Sequence, residues 1–196
     1  MQAFLDTFGQ QVEEVRLEQK RLPYRRIRLL AVDESRCGLF PLHRHRITLK
    51  GIQPIASIIY QFEFLYLYGA VEPTTGAAFL LELPAMNALC FQVFLDELAA
   101  TDPESLLLLL LDNGRLHTAR SLRIPDNVRL MSLPPYAPEL NPIERLWRVV
   151  KDRLAQALPQ TLEHLSSCLT SILHQLTSDD IRSLTSYHYF IQAANG

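Results

Sequence analysis

The segment SLLLLLLD, residues 105–112, constrains the fold more than any other part of the chain. Six consecutive leucines fall far short of the roughly 20 apolar residues that cross a bilayer. They have no polar face, so they suit a strand buried on both sides, and such a strand exists only in a sheet covered by layers above and below. The run ends in an acid, Asp112. A second apolar segment, IRLLAVD at 27–33, has the same form and ends in Asp33.

The elements around these two strands predict the rest of the fold. PIASIIYQFEFLYLYGAVEP, 54–73, is rich in β-branched and aromatic residues and reads as one long or two short strands. EPTTG at 72–76 reads as the turn of a hairpin whose second strand is AAFLLEL. Residues 87–100 have a helical period with Asn87 as cap, RLHTARSL suggests a short helix, and 127–134 a short strand. A helix opening at Pro142 places Ile143, Leu146, Trp147, Val150, Leu154 and Leu158 on one stripe. A further helix follows over 161–176 with Leu162, Leu165, Leu169, Ile172, Leu173 and Leu176, and the tail is expected to be helical. The order implies an α/β fold, a mixed sheet with helices on both faces. We divide it into an N-terminal helix and basic lead-in (1–26), a core (27–158) and C-terminal helices packed on the core (159–196).

At 196 residues and 48% hydrophobic content, the chain is expected to form one globular domain. Three scattered cysteines, Cys37, Cys90 and Cys168, lack metal or disulfide spacing. No signal peptide opens the sequence, and a cytoplasmic protein without a membrane partner is expected. The net charge of −2 hides an asymmetry. From Lys20 to Lys50 there are nine Lys and Arg against Asp33 and Glu34, a net +7 that leaves −9 on the remainder. That stripe is either a phosphate-facing surface or a solvated strand face.

In open α/β sheets ligands gather at the carboxyl ends of strands, so Asp33 and Asp112 face one site if their strands are parallel neighbours. Taken singly, each is equally well a turn residue. Glu144 also has two readings. Asn141 suits an N-cap, Pro142 a first helical position, and Glu144 at the third can close a capping box. Alternatively Glu144 is a third carboxylate of one site. Three converging carboxylates repel one another, and oxygen-loving Mg²⁺ or Mn²⁺ relieves the repulsion. Two such ions about 3.5–4 Å apart perform phosphoryl transfer.

The segments AVDESRCGL, LLLDNGRLHTAR and LPPYAPELNPIERLW, in this order and separation, resemble the catalytic domain of mariner-superfamily transposases, specifically the bacterial insertion-sequence branch with a DDE endonuclease. The resemblance spans about residues 27–155. It implies a ribonuclease-H-like fold and a catalytic, metal-binding triad of Asp33, Asp112 and Glu144 with two Mg²⁺ or Mn²⁺ ions. It also implies DNA strand cleavage, strand transfer and insertion at a TA dinucleotide. Asn113 and His117 match the family's pattern, while Gly114 stands where many relatives carry alanine, a difference expected to be tolerated. Full-length relatives carry helix-turn-helix modules ahead of the catalytic domain, whereas about 26 residues precede the first strand here. The expected partners are therefore DNA, a separate or frameshift-fused N-terminal helix-turn-helix polypeptide and, as a homodimer, a second copy of the chain. Two other functions fit the same residues: a non-catalytic DNA-binding or assembly relic, and a stand-alone metal-dependent nuclease.

Around the triad, Arg36, Arg44, Arg46, Lys50, His117, Arg148 and Lys151 are the candidate DNA contacts. His117 has the alternative roles of orienting a ligand or lying on a helix surface, and Arg148 that of pairing with Glu144 one turn away. Glu34 points away from Asp33 on its strand and so should not join the site directly, with a supporting role behind the site as the alternative. Trp147 reads as core. Tyr136 either stacks on a base or locks the proline loop, and His43 and His45 read as surface residues.

Overall fold

The computed structural model describes residues 2–39 and 63–195. Arg44, Arg46, Lys50, His43, His45 and the first half of the predicted strand region at 54–73 lie outside the described residues. The described residues form five strands: β1 (Arg26–Gly38), β2 (Phe64–Glu72), β3 (Ala77–Leu83), β4 (Ser105–Leu111) and β5 (Val128–Ser132). They form one sheet in the order β3-β2-β1-β4-β5. The β1–β2 and β2–β3 pairs are antiparallel, while β1–β4 and β4–β5 are parallel. The hairpin turns at Gly76, whose φ of 75° lies in the left-handed region that glycine occupies without strain. All seven residues of β4 are buried, as a strand of unbroken leucine requires.

The two faces are covered differently. Among the described residues, α2 (Ala88–Thr101) is the one helix on the first face, packing Phe91, Phe94, Leu95 and Leu98 on Leu30, Val32, Leu107 and Leu109. Its N-terminus is capped as expected: the Asn87 side chain accepts from the Cys90 amide at 2.9 Å. The other face carries α3 (Ile143–Ala157), with α1 (Gln2–Gln19), α4 (Leu162–His174), α5 (Ser178–Thr185) and α6 (His188–Asn195) around it. The α3 stripe holds through Leu154, but Leu158 is 63% exposed. It has left the helix as its left-handed C-cap, φ 49°, so its side chain turns to solvent.

Two further expectations are corrected. RLHTARSL forms turns rather than a helix. Its eight residues lie within a connection anchored by side-chain bonds, with the Gln92 amide donating to the Arg123 carbonyl and the Arg123 amide donating back to the Gln92 side chain. An isolated helix that short lacks the length to overcome nucleation. The basic stripe is also partly consumed internally. Arg25 pairs with Glu104, Arg26 with Asp102, and half-buried Arg28 with both Glu72 and Asp102, all at the start of β1. Arg36 is exposed, its guanidinium 4.4 Å over the Phe64 ring.

Candidate active site

Strand register brings the two aspartates together. The parallel β1–β4 ladder ends at the pair Ala31–Leu110, and Asp33 and Asp112 each follow two residues later. Alternation also assigns the face of Asp33, since Leu29 and Ala31 on β1 pack in the α3 layer, whereas Asp112, past the end of β4, is reached by His117 from the α2 side. β1 does not stop at its acid, as the sequence suggests, but runs on to Gly38 against β2 alone. Asp33 therefore sits inside a strand, and Asp112 just past the end of one.

The third acid arrives on α3. Glu144 lies in its first turn, partly buried. The expected capping box is absent: Pro142 occupies the N-cap with helical angles (φ −58°, ψ −32°), and no side chain caps the helix. The Asn141 amide instead donates 2.9 Å to the Val32 carbonyl in the core, tying the entrance of α3 to the residue before Asp33. Asn113, next to Asp112, donates 2.7 Å to the Leu133 carbonyl. The proline loop between β5 and α3 is thus fastened at each end beside an aspartate. At its tip Tyr136 is fully exposed, with a φ of 58°.

Asp33 accepts a 3.0 Å hydrogen bond from the Trp147 indole N–H. The indole reaches it by crossing β2 at Gly69, the register partner of Asp33. A Cβ there would lie 2.6 Å from the ring. Trp147 is therefore core, as expected, and also a donor to the site. Sequence offered no signal for this second role, and Gly69 is the other residue it missed. Burial pushes the Asp33 carboxyl up to about 7, and the charges of Glu144, Glu34 and Asp112 add to the effect. Burial is the larger cause, and the three neighbouring carboxylates add negative charge at this end of the sheet.

Asp112 differs: its side chain is 59% exposed. Its Oδ1 contacts His117 Nδ1 at 2.8 Å and accepts from the Gly114 amide at 2.8 Å. His117 is not on a helix surface and does not face solvent. Only 2% of its side chain is exposed, and its Nε2 lies 3.0 Å from Glu34 Oε1. Burial works to lower the His117 pKa, but hydrogen bonding and charge from Glu34, then Asp112, outweigh it and raise the pKa. Glu34 does face away from Asp33, into the α2 layer, yet it reaches the site through this histidine. Of the other candidate contacts, Arg148 is exposed on α3, and Lys151 is partly buried near enough to Cys37 to act on its thiol.

The donor set is all carboxylate oxygen, the chemistry of Mg²⁺ and Mn²⁺ sites, and the excess negative charge around Asp33 is what a divalent cation relieves. Among the described residues, no three His, Cys, Asp or Glu side chains are gathered closely enough to enclose an ion. The acids stand at an open sheet end. The surface concavity on α4 between Ser166 and Gln175 includes none of them, and neither does the one between Tyr24 and Arg129. No helix among the described residues is long and apolar enough to cross a membrane.

Comparison with known proteins agrees with this layout. An uncharacterized protein, y4pE/y4sA, of Sinorhizobium fredii (strain NBRC 101917 / NGR234) is 39% identical over 88 residues, 44% of this chain and 65% of that protein. The Mos1 transposase paired-end complex with left transposon end matches the whole chain with a TM-score of 0.66 at 18% identity, covering 62% of the Mos1 chain. The Mos1 mariner paired end complex with Mn gives 0.62 at 19% identity, again over 100% of this chain and 62% of the other. The chain thus spans just under two thirds of the relatives it matches. The shared fold is the ribonuclease-H-like, mixed-sheet core of transposases. The sequence pattern of the DDE superfamily endonucleases covers residues 28–166, from the strand that carries Asp33 to beyond the helix that carries Glu144, and the chain belongs to that family.

Proposed function

We propose that the protein is a transposase catalytic domain that cuts DNA strands by metal-dependent hydrolysis and transfers the resulting 3′ ends to a target. The observation that carries this reading is the gathering of Glu144, Glu34 and Asp112 around Asp33, beside the end of the parallel β1–β4 ladder, where burial first and their charges second push the Asp33 carboxyl up to about 7. The Mos1 structures solved with Mn and with Mg support the choice of metal. In this reading Asp33, Asp112 and Glu144 hold two Mg²⁺ or Mn²⁺ ions, which supply charge neutralisation and activation of the attacking water or 3′-hydroxyl. The chain's own part is positional. Trp147 and burial orient Asp33, the loop fastened by Asn113 and Asn141 sets Glu144 opposite it, and the open sheet end admits an extended polymer.

Arg36, Arg148 and Lys151 would contact phosphate, together with Arg44, Arg46 and Lys50. Phosphate contacts give affinity without sequence information, so the chain should bind DNA with Kd of roughly 10⁻⁴–10⁻⁶ M and a steep salt dependence. Recognition of transposon ends would then fall to a helix-turn-helix polypeptide, separate or fused, with TA as the target. His117, being buried, leaves the set of phosphate contacts.

The alternative of a non-catalytic relic is favoured by one observation, the lack of a closed three-ligand cluster among the described residues. Plasmid nicking decides between them. With Mn²⁺ the protein should nick supercoiled DNA, and Asp112→Asn should reduce the rate by orders of magnitude while DNA binding persists. A clean preparation that binds DNA but never nicks it, or an Asp112→Asn variant as active as the parent, would establish the relic reading or place the activity elsewhere.

A further inference from the structure

We propose that Glu34 and His117 are a positioning pair that holds the Asp112 carboxylate for metal binding, an inference that rests on Asp112 being a ligand as read above. The three side chains form a chain from core to solvent. Glu34 is 5% exposed, His117 2% and Asp112 59%. Glu34 lies 3.0 and 3.2 Å from His117 Nε2 through its two oxygens. On the opposite side of the ring, Nδ1 lies 3.1 Å from the Asp112 carbonyl and 2.8 Å from its Oδ1. Both nitrogens thus face oxygen acceptors, which fixes the plane and rotation of the imidazole. The Phe91 ring, 4.6 Å away, supports it from α2.

A histidine serving only the core has no reason to end its bonding on an exposed carboxylate. Here the partner outside the sheet is Asp112, which lies past the end of β4 and has no strand pairing to hold it. The ring and the Gly114 amide fix one of its oxygens. Gly114 is part of the device, because a Cβ at that position would stand 2.9 Å from Asp112 Oδ1 and 3.3 Å from His117 Nδ1. An alanine in place of Gly114 would therefore press on the contact. Glu34 itself faces the other side of β1 from Asp33: its charge acts on Asp33 at a distance, but its hold on Asp112 passes through the histidine. Groups that orient a ligand in this way commonly change metal affinity 10- to 100-fold when removed.

The test is Mn²⁺ binding to the full chain, read by electron paramagnetic resonance and by the Mn²⁺-induced rise in melting temperature, with nicking measured alongside. Glu34→Gln and His117→Ala should each weaken Mn²⁺ binding by about tenfold, and the double variant should be no weaker than His117→Ala alone. Nicking should return when Mn²⁺ is raised to saturation, because a positioning group affects ligand assembly rather than the chemical step. Unchanged affinity in a folded Glu34→Gln protein, or losses that multiply in the double variant, would overturn the pair. So would nicking that stays low at saturating Mn²⁺. Should His117→Ala fail to fold, Gly114→Ala removes no partner and decides: weaker Mn²⁺ binding is expected, and parental affinity refutes the pair. Should the parent bind no Mn²⁺, or Asp112→Asn bind it as the parent does, the metal reading itself falls and the pair with it.

Discussion

The ends of β1 and β4 look alike in sequence, a run of apolar residues closed by an aspartate, yet the structure treats them as opposites. Asp33 lies inside a strand, beneath α3, hydrogen-bonded to Trp147 and resistant to ionisation. Asp112 lies beyond its strand, mostly in solvent, held by His117 and Gly114 from the α2 side. What differs is the continuation of the sheet. β1 keeps a partner in β2 after β4 has ended, so its acid is roofed by a helix, whereas β4 gives way to a turn. Two carboxylates of one proposed site are therefore prepared by different means, one by burial and one by tethering.

The largest effect should erase the contrast. Asp33→Asn and Asp112→Asn are each expected to reduce Mn²⁺-dependent plasmid nicking by orders of magnitude, since both acids would be ligands. A variant of either that nicks normally would break the pairing of the two strand ends.

Stability should separate them. The folded-state pKa of Asp33, about 7, lies above its ordinary 3.8. Its contribution to stability is thus fully present below about pH 4 and is lost as pH rises through the folded value near 7. Without metal, Asp33→Asn should be more stable than the parent at pH 8, by on the order of a few kcal/mol, and the difference should shrink towards pH 4. Chemical denaturation in EDTA at both pH values checks this. An equal gain from Asp112→Asn, at the exposed acid, would mean that burial is not what distinguishes the two.

A smaller effect is confined to the β1 end. Gly69→Ala should cost about 1–3 kcal/mol by displacing the indole. Trp147→Phe keeps most of the ring volume, removes the donor and should push the Asp33 pKa further up, measurable by carboxyl NMR titration. An unmoved Asp33 titration would show that the indole is packing alone. The smallest effect should be at Arg148, where alanine is expected to lower the slope of log Kd against log salt by about one, uniformly across DNA sequences.

Several of these contacts lie beyond the reach of sequence reading, and the reason is chain separation. Trp147 could be assigned to the core because its neighbours Leu146 and Val150 share a local period. Its bond to Asp33 spans 114 residues and depends on where α3 crosses the sheet. Asn141 matched a cap rule drawn from its immediate neighbours. The rule failed because Pro142 already has helical angles and a buried carbonyl 109 residues away took the side chain. His117 had no helical period of its own to mark it as buried. Its position follows from Glu34, 83 residues earlier.

Periodicity and local chemistry alone determined that this chain would build a mixed sheet covered on both faces, because a strand of six leucines has no other stable environment. They also singled out Asp33 and Asp112 after apolar segments and Glu144 in the first turn of a helix, although β1 runs on past Asp33. Only the tertiary structure decided what those acids experience. Strand register and helix docking, which act between residues far apart in the chain, buried Asp33 and left Asp112 in water. The same two factors made a core tryptophan and a buried histidine their respective supports.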